Sequence, residues 1–237
     1  MKKTIALSLL ATLFSLNAVA HSAWFATQQD KLAIIYGHGA ENNAYKPAQV
    51  KELVAYAKGE RMTVQRKDHA DFVSVVPEKA EVLGAVFYNG FWTKLKNGKW
   101  EQKPRAEIKG EVEFTTESTK YAVTLLDHHA KPKAVGYPLE IVPEQNPLHM
   151  HEGDSVTVQV LWQGKPLAGA KVTNDYINLG KDAYKETDKD GKVTLQIRNE
   201  GLNVFEVGHK GEHADKAKAD RFSISATYSF VLAHHEH

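Results

Sequence analysis

Short runs of alternating apolar and polar residues, separated by turn residues, recur along most of this sequence. The segment DSVTVQVLWQGKPLAGAKVTNDYI (154–177) contains two such runs on either side of the turn GKP. Another turn signal, the pair Asn97 and Gly98, lies between Trp92 and Trp100 and predicts a hairpin. Strand-length runs that end at closely spaced turns are typical of antiparallel sandwiches. The pattern therefore predicts an all-β fold made of Ig-like or transthyretin-like β-sandwiches.

Two segments fit this pattern less well. The segment KPAQVKELVAYAKGE (46–60) predicts a helix that Gly59 would end, although its central part, VKELVAYA, also fits a strand. The segment GHKGEH (208–213) follows a predicted strand and contains glycine, so it predicts a surface loop.

A proline-containing segment divides the strand-rich sequence into two parts. YPLEIVPEQNP (137–147) contains three prolines and predicts an extended connection. We therefore expect two antiparallel β-sandwich domains, at residues 21–143 and 144–233, followed by a histidine-rich tail, HHEH, at 234–237.

The first twenty residues have the three parts of a secretory signal peptide. Lys2 and Lys3 precede the apolar run TIALSLLATLF (4–14), and Ala18 and Ala20 supply the small residues of a cleavage site. The apolar run is shorter than the roughly 20 residues that a membrane-spanning helix needs. The pattern predicts export to the periplasm, with His21 as the first residue of the processed chain.

Charge and cysteine content narrow the function classes. The sequence has 30 basic and 29 acidic side chains apart from histidine. This balance argues against nucleic acid or an anionic membrane surface as a partner, since both usually select basic proteins. The chain has no cysteine, so a metal site would use imidazole, carboxylate or amine ligands. Such a donor set suits nickel, cobalt, copper or zinc.

Twelve histidines are the one compositional bias. At His21 the α-amine released by cleavage, with a pKa of roughly 7.7–8.0, and the ring of the same residue would form a chelate. His38 lies between two glycines in YGHGAE, at the end of a predicted strand, where its ring is approachable. Glu41 would either ligate the ion or orient a ring. The alternative is that both histidines are ordinary surface or turn residues.

Two further histidine clusters are candidates for ligands. LLDHHAKP places His128 and His129 at a predicted strand end, and LHMHEGD places His149 and His151 two residues apart. On a strand, residues two apart share a face, so His149 and His151 could bind one ion together. The remaining candidates are weaker and are interpreted as surface residues: His69, His209 and His213.

Several motifs resemble known families. WQGKPLAGAKV, followed by TDKDGKVTLQI, resembles the transthyretin-like or carboxypeptidase-regulatory-like sandwich of many exported proteins. Together with this sandwich, AHSAWF (20–25) and YGHGAE (36–41) resemble bacterial periplasmic proteins associated with nickel and cobalt uptake. Those proteins are grouped under a domain of unknown function and accompany energy-coupling-factor-type importers. The resemblance implies Ni²⁺ or Co²⁺ as the bound ion and membrane importer components as partners.

The sequence therefore favours a non-enzymatic periplasmic protein that captures nickel or cobalt and delivers it to an importer. Copper or zinc chaperones of similar design remain open, although three methionines are few for Cu(I), which prefers sulfur ligands. A copper monooxygenase with an N-terminal histidine is another alternative, as is a structural module in which the histidines are incidental. The sequence contains no nucleophile elbow, P-loop or HExxH motif.

Overall fold

A computed structural model describes residues 21–179 and 184–233 of the chain. The predicted signal peptide (1–20) and histidine-rich tail (234–237) lie outside these residues. Within the described ranges the chain forms seventeen strands and three short 3-10 helices. This composition confirms the all-β sandwich prediction. No helix in these ranges is both long enough and apolar enough to span a membrane.

The strands fall into two groups along the chain. Those before residue 130 are β1 (Ser22–Gln28), β2 (Lys31–Gly37), β3 (Val50–Ala57), β4 (Glu60–Met62), β5 (Gln65–Asp68), β6 (Val73–Val76), β7 (Val82–Leu95), β8 (Trp100–Glu101) and β9 (Val112–Leu125). Those after residue 130 are β10 (Leu139–Pro143), β11 (Ser155–Trp162), β12 (Lys165–Pro166), β13 (Lys171–Thr173), β14 (Tyr184–Glu186), β15 (Lys192–Gln196), β16 (Leu202–Glu212) and β17 (Arg221–Val231). The 3-10 helices are Pro47–Gln49, Arg105–Glu107 and Pro147–His149.

Three sheets are built from these strands. A nine-stranded sheet has the order β14-β13-β16-β17-β9-β7-β3-β4, with β8 paired to β7. A four-stranded sheet has the order β1-β2-β6-β5, and a second one contains β10, β11, β12 and β15. In the nine-stranded sheet, β17 pairs with β9 in parallel, whereas its other pairings are antiparallel. The two regions predicted as separate domains thus contribute neighbouring strands to one sheet.

The nine-stranded sheet forms the middle layer of the molecule. Along β7, Leu83, Ala85 and Phe87 belong to the core shared with β1 and β2, whereas Val82 belongs to the core shared with β10 and β11. Successive strand residues point to opposite faces, so the two four-stranded sheets cover opposite faces of the nine-stranded sheet. Each predicted sandwich therefore uses the same central sheet as one of its layers.

Hydrophobic alternation accounts for most of this architecture. In β11, Val156, Val158 and Val160 are buried and the residues between them are partly exposed, which is the pattern of a strand with one face in a core. The predicted hairpin at Asn97 and Gly98 also forms, joining β7 to β8 with Gly98 at a φ of 85°.

Two local predictions are wrong. Residues 46–60 form a 3-10 turn at Pro47–Gln49 followed by strand β3, so the strand alternative for VKELVAYA is correct and the helix is not. The expected loop at GHKGEH is largely strand, because β16 continues through Glu212 and pairs with β17 along its full length. In both cases pairing with a long neighbouring strand decides the conformation.

Candidate functional site

The register of one hairpin brings His21 and His38 together. Strands β1 and β2 are joined by Gln29 and Asp30, both at positive φ, and Ser22 pairs with Gly37 at the open end. His21 precedes that last pair and His38 follows it, so the two histidines lie opposite each other. A two-residue turn fixes the register of a hairpin, and the register fixes this juxtaposition.

The spacing of the two rings suits a shared metal ion. The ring centres of His21 and His38 are 6.3 Å apart, with the planes inclined by 46°. Two imidazoles bound at about 2.0–2.1 Å on opposite sides of one ion have ring centres roughly 6 Å apart. The His21 side chain is 45% exposed, so an ion can reach it from solvent.

Glycines 37 and 39 shape the loop that carries His38. A Cβ on Gly37 would lie 2.2 Å from the Glu41 carbonyl oxygen, and Gly39 has a φ of +61°. The Glu41 amide donates to the His38 carbonyl at 3.2 Å. This tight turn brings the Glu41 carboxylate back to 3.6 Å from His21 Nε2. The motif YGHGAE is therefore explained by a close approach at Gly37 and a left-handed residue at Gly39.

Two tyrosines that the sequence analysis did not identify line the histidines. Tyr36 stacks on His21 at 5.4 Å, and Tyr176 lies edge-on to His38 at 6.2 Å. Both hydroxyls already donate hydrogen bonds, from Tyr36 to Asn89 Oδ1 at 3.1 Å and from Tyr176 to the Gly37 carbonyl at 3.0 Å. The tyrosines thus hold the rings and backbone of the site in place. Tyr176 comes from the C-terminal half, far from His38 in sequence, so no local pattern indicates it.

A buried polar layer lies beneath the hairpin. Ser22 Oγ and Ser225 Oγ share a hydrogen bond of 2.8 Å, which joins β1 to the nine-stranded sheet. Lys120, the register partner of Ser225, is 1% exposed, and Glu206 on the same face accepts a bond from Thr173. Burial lowers the pKa of Lys120 and raises the pKa of Glu206, and each partially offsets the shift of the other through its charge.

These surroundings lower the pKa of the His21 ring. Partial burial is the main cause, and His38 and Lys120 add to it, whereas the Glu41 carboxylate acts in the opposite direction. A lower pKa keeps the ring neutral near pH 7, and a neutral imidazole is the form that binds metal. The surroundings of His21 therefore favour its neutral ring over the charged one.

One ring nitrogen of His38 is buried without a hydrogen-bond partner among the described residues. Its Nδ1 is buried and makes no hydrogen bond within the described residues, and a buried polar atom in this state is unfavourable. No group of three or more His, Asp or Glu side chains in the described ranges is arranged to hold a metal ion. A metal site at His21 and His38 would therefore need a further donor.

The histidines after β9 lie elsewhere in the molecule. The rings of His128 and His149 are 5.6 Å apart, both on the surface. The backbone amide of His129 donates to Asp127, and His151 Nδ1 lies 3.6 Å from Asp154 Oδ2. The structure thus separates His21 and His38 from the other four predicted ligands, of which His128 and His149 have their rings close together.

The three weaker candidates have structural partners. His69 bonds to Ser74 at 2.8 Å and stacks on Phe72, and His213 bonds to Glu117 at 2.7 Å. His209 packs against Trp162, where burial lowers its pKa. His69, His209 and His213 therefore each have side-chain contacts within the fold.

Comparison with known proteins identifies the family. The sequence profile of the domain of unknown function DUF4198 matches residues 18–211. The chain belongs to this family. A Haemophilus influenzae protein described as "Uncharacterized protein" is 27% identical over 231 residues, covering 96% of this chain and 97% of its own length. No solved structure matches the chain. The DUF4198 match includes both His21 and His38.

Proposed function

We propose that this DUF4198 protein binds a nickel or cobalt ion at its processed amino terminus in the periplasm and delivers it to a membrane importer. The observation that carries the proposal is the 6.3 Å separation of the His21 and His38 rings at the open end of one hairpin. The ligands would be the amine and ring of His21 and the ring of His38. Glu41 would orient His21 or bind the ion from one side.

The proposed donor set fits capture and release better than catalysis. Three nitrogen donors would occupy three positions of a square-planar or tetragonal coordination shell, a geometry that Ni²⁺ and Cu²⁺ accept. An unfilled coordination position and a half-exposed His21 would allow an importer component to take the ion by exchanging ligands one at a time. No bond in a substrate needs to be broken.

The test compares three proteins by calorimetric titration with Ni²⁺ and Co²⁺. The parent begins at His21, one variant carries a single alanine ahead of His21, and one carries His38→Gln. We expect each variant to bind the ion at least about 100-fold more weakly than the parent. Removing a residue that only hydrogen-bonds a metal ligand lowers metal affinity by about 10–100-fold, and removing a ligand itself should lower it more. His69→Gln is the matched control and should bind like the parent. Unchanged affinity in the extended protein would overturn the proposed site.

A copper monooxygenase is the second candidate, because Tyr36 stacks on His21. Against it, the Tyr36 and Tyr176 hydroxyls are bonded to Asn89 and Gly37 rather than directed at an ion. Copper-loaded protein that consumes peroxide in the presence of a reductant would favour this alternative. Tighter binding of Cu²⁺ or Zn²⁺ without such activity would favour a copper or zinc chaperone.

A further inference from the structure

A second pair of histidines is brought together on the opposite side of the central sheet. His128 lies in the turn after β9, and His149 ends the 3-10 helix Pro147–His149, 21 residues later. Leu148, next to His149, packs in the core shared with β10 and β11, whereas β1 packs in the other core. The nine-stranded sheet therefore separates this pair from His21 and His38.

A single side chain ties the two segments together. The two N–H groups of the Asn146 amide are shared among the carbonyl oxygens of Asp127, His128 and Ala130, which lie 3.0, 3.0 and 2.8 Å from the amide nitrogen. Its Oδ1 accepts the Leu148 amide at 2.8 Å. The backbones that carry the two rings are thus fixed before any ligand arrives, which reduces the entropy lost on binding.

The tautomer of His149 is set by a hydrogen bond. His149 Nε2 lies 2.6 Å from the His128 carbonyl oxygen. A carbonyl oxygen can only accept, so Nε2 carries the proton, and Nδ1 of the neutral ring holds a lone pair. Metal-binding histidines commonly donate their other ring N–H to a backbone carbonyl in this way.

The ring spacing allows one ion to bind both histidines. Ring centres of two imidazoles on one ion lie roughly 4.5 Å apart at right angles and roughly 6 Å apart on opposite sides, for bonds of about 2.0–2.1 Å. The observed 5.6 Å lies between these limits. Both side chains are at the surface, so water can complete the coordination shell.

We propose that His128 and His149 form a second, exposed site for one divalent transition-metal ion, which fills independently of the site at His21. Imidazole ligands and an open shell suit borderline ions such as Ni²⁺, Cu²⁺ and Zn²⁺. With only two protein ligands, this site holds its ion more weakly than the three-nitrogen site. It therefore serves to collect ions at the surface.

The test is equilibrium dialysis against Ni²⁺ of the full processed chain and of single variants. His128→Gln and His149→Gln should each bind one ion fewer than the parent and keep the tight ion at His21. His38→Gln should lose the tight ion and keep the weaker one, so failure of either site is distinguishable from failure of the other. His69→Gln should match the parent.

A site-resolved measurement completes the test. When the parent is titrated with Cu²⁺, which is paramagnetic, the NMR ring signals of His128 and His149 should broaden together as the second equivalent is added. Far-UV circular dichroism verifies that each variant is folded. Unchanged Ni²⁺ stoichiometry in both glutamine variants, or sharp His128 and His149 signals beyond one equivalent of Cu²⁺, would overturn the second site.

Discussion

His21 and His38 are positioned by backbone register, whereas His128 and His149 are positioned by a side chain. The first pair lies at the open end of the β1–β2 hairpin, where the ladder ends at Ser22 and Gly37. The second pair lies in two loops that Asn146 joins. Register is a property of many hydrogen bonds together, while a single amide can be removed by one substitution. Different kinds of substitution should therefore disrupt the two histidine pairs.

The largest expected effect is on the backbone of the first pair. In Gly37→Ala the new methyl group would lie 2.2 Å from the Glu41 carbonyl oxygen, so backbone must move. We expect about 3 kcal/mol of destabilisation, together with weaker Ni²⁺ binding at His21.

Gly153→Ala is the matched change near the second pair. Gly153 has a φ of +91° but meets nothing within 4 Å, so only the conformational cost of about 1–2 kcal/mol applies. Urea denaturation measures both variants. Since Gly37 lacks the positive φ of Gly153, little or no loss of stability in Gly37→Ala would show that the close approach to Glu41 is relieved without cost.

Removing the Asn146 side chain should affect the second pair alone. Asn146→Ala removes a donor shared by three carbonyl groups and lowers stability by about 1–3 kcal/mol. We expect the weaker Ni²⁺ ion to bind roughly 10-fold less tightly and the ion at His21 to be unaffected. Titration of Asn146→Ala with Ni²⁺ measures this, and Asn178→Ala, a change at an exposed asparagine, is the control.

The pH response of His21 gives a smaller effect. Because burial, His38 and Lys120 lower the pKa of its ring, the unfolded chain takes up a proton there at higher pH than the folded one. The ring's contribution to stability is full above the ordinary histidine value of about 6.5 and is lost as the pH falls through the folded value. NMR titration of metal-free protein should give a His21 midpoint below 6.5, and a midpoint above it would contradict the desolvation argument.

The smallest effect concerns Glu41. Among the described residues, the Glu41 carboxylate raises the pKa of His21, so Glu41→Gln should lower that pKa further. The same NMR titration measures the change, and Glu152→Gln, next to His151, should leave the His21 midpoint where it was. A rise in the His21 pKa would show that Glu41 is not its electrostatic partner.

Local patterns in the sequence predict much of the β-structure. The alternation of Val156, Val158 and Val160 predicts β11, and the pair Asn97 and Gly98 predicts the β7–β8 hairpin. Strand β1 gives no period-two signal, because its first four residues, Ser22 to Phe25, are buried in succession. The parallel pairing of β9 with β17 joins segments about a hundred residues apart and has no local signature.

The candidate site was predictable only in part. The sequence indicated His21 and His38 individually, through the expected cleavage and the flanking glycines, but their opposition depends on a turn at Gln29 and Asp30 that lacks glycine. The sequence gives no sign that His128 and His149 lie close together. Asn146 links their segments through backbone carbonyl groups, which every residue has whatever its side chain. Knowing which histidines lie close together thus requires the strand register and the loop contacts of the structure.

The position of β17 has a consequence for how the protein is made. This strand, Arg221–Val231, is the last described in the chain, yet it lies between β16 and β9. A polypeptide that emerges from the ribosome amino end first leaves the adjacent sides of β9 and β16 as open edges until β17 has been made, and open edges promote aggregation. Completion of the middle layer is thereby postponed until Val231 has been made, so a nascent chain that stops before Arg221 should depend on chaperones.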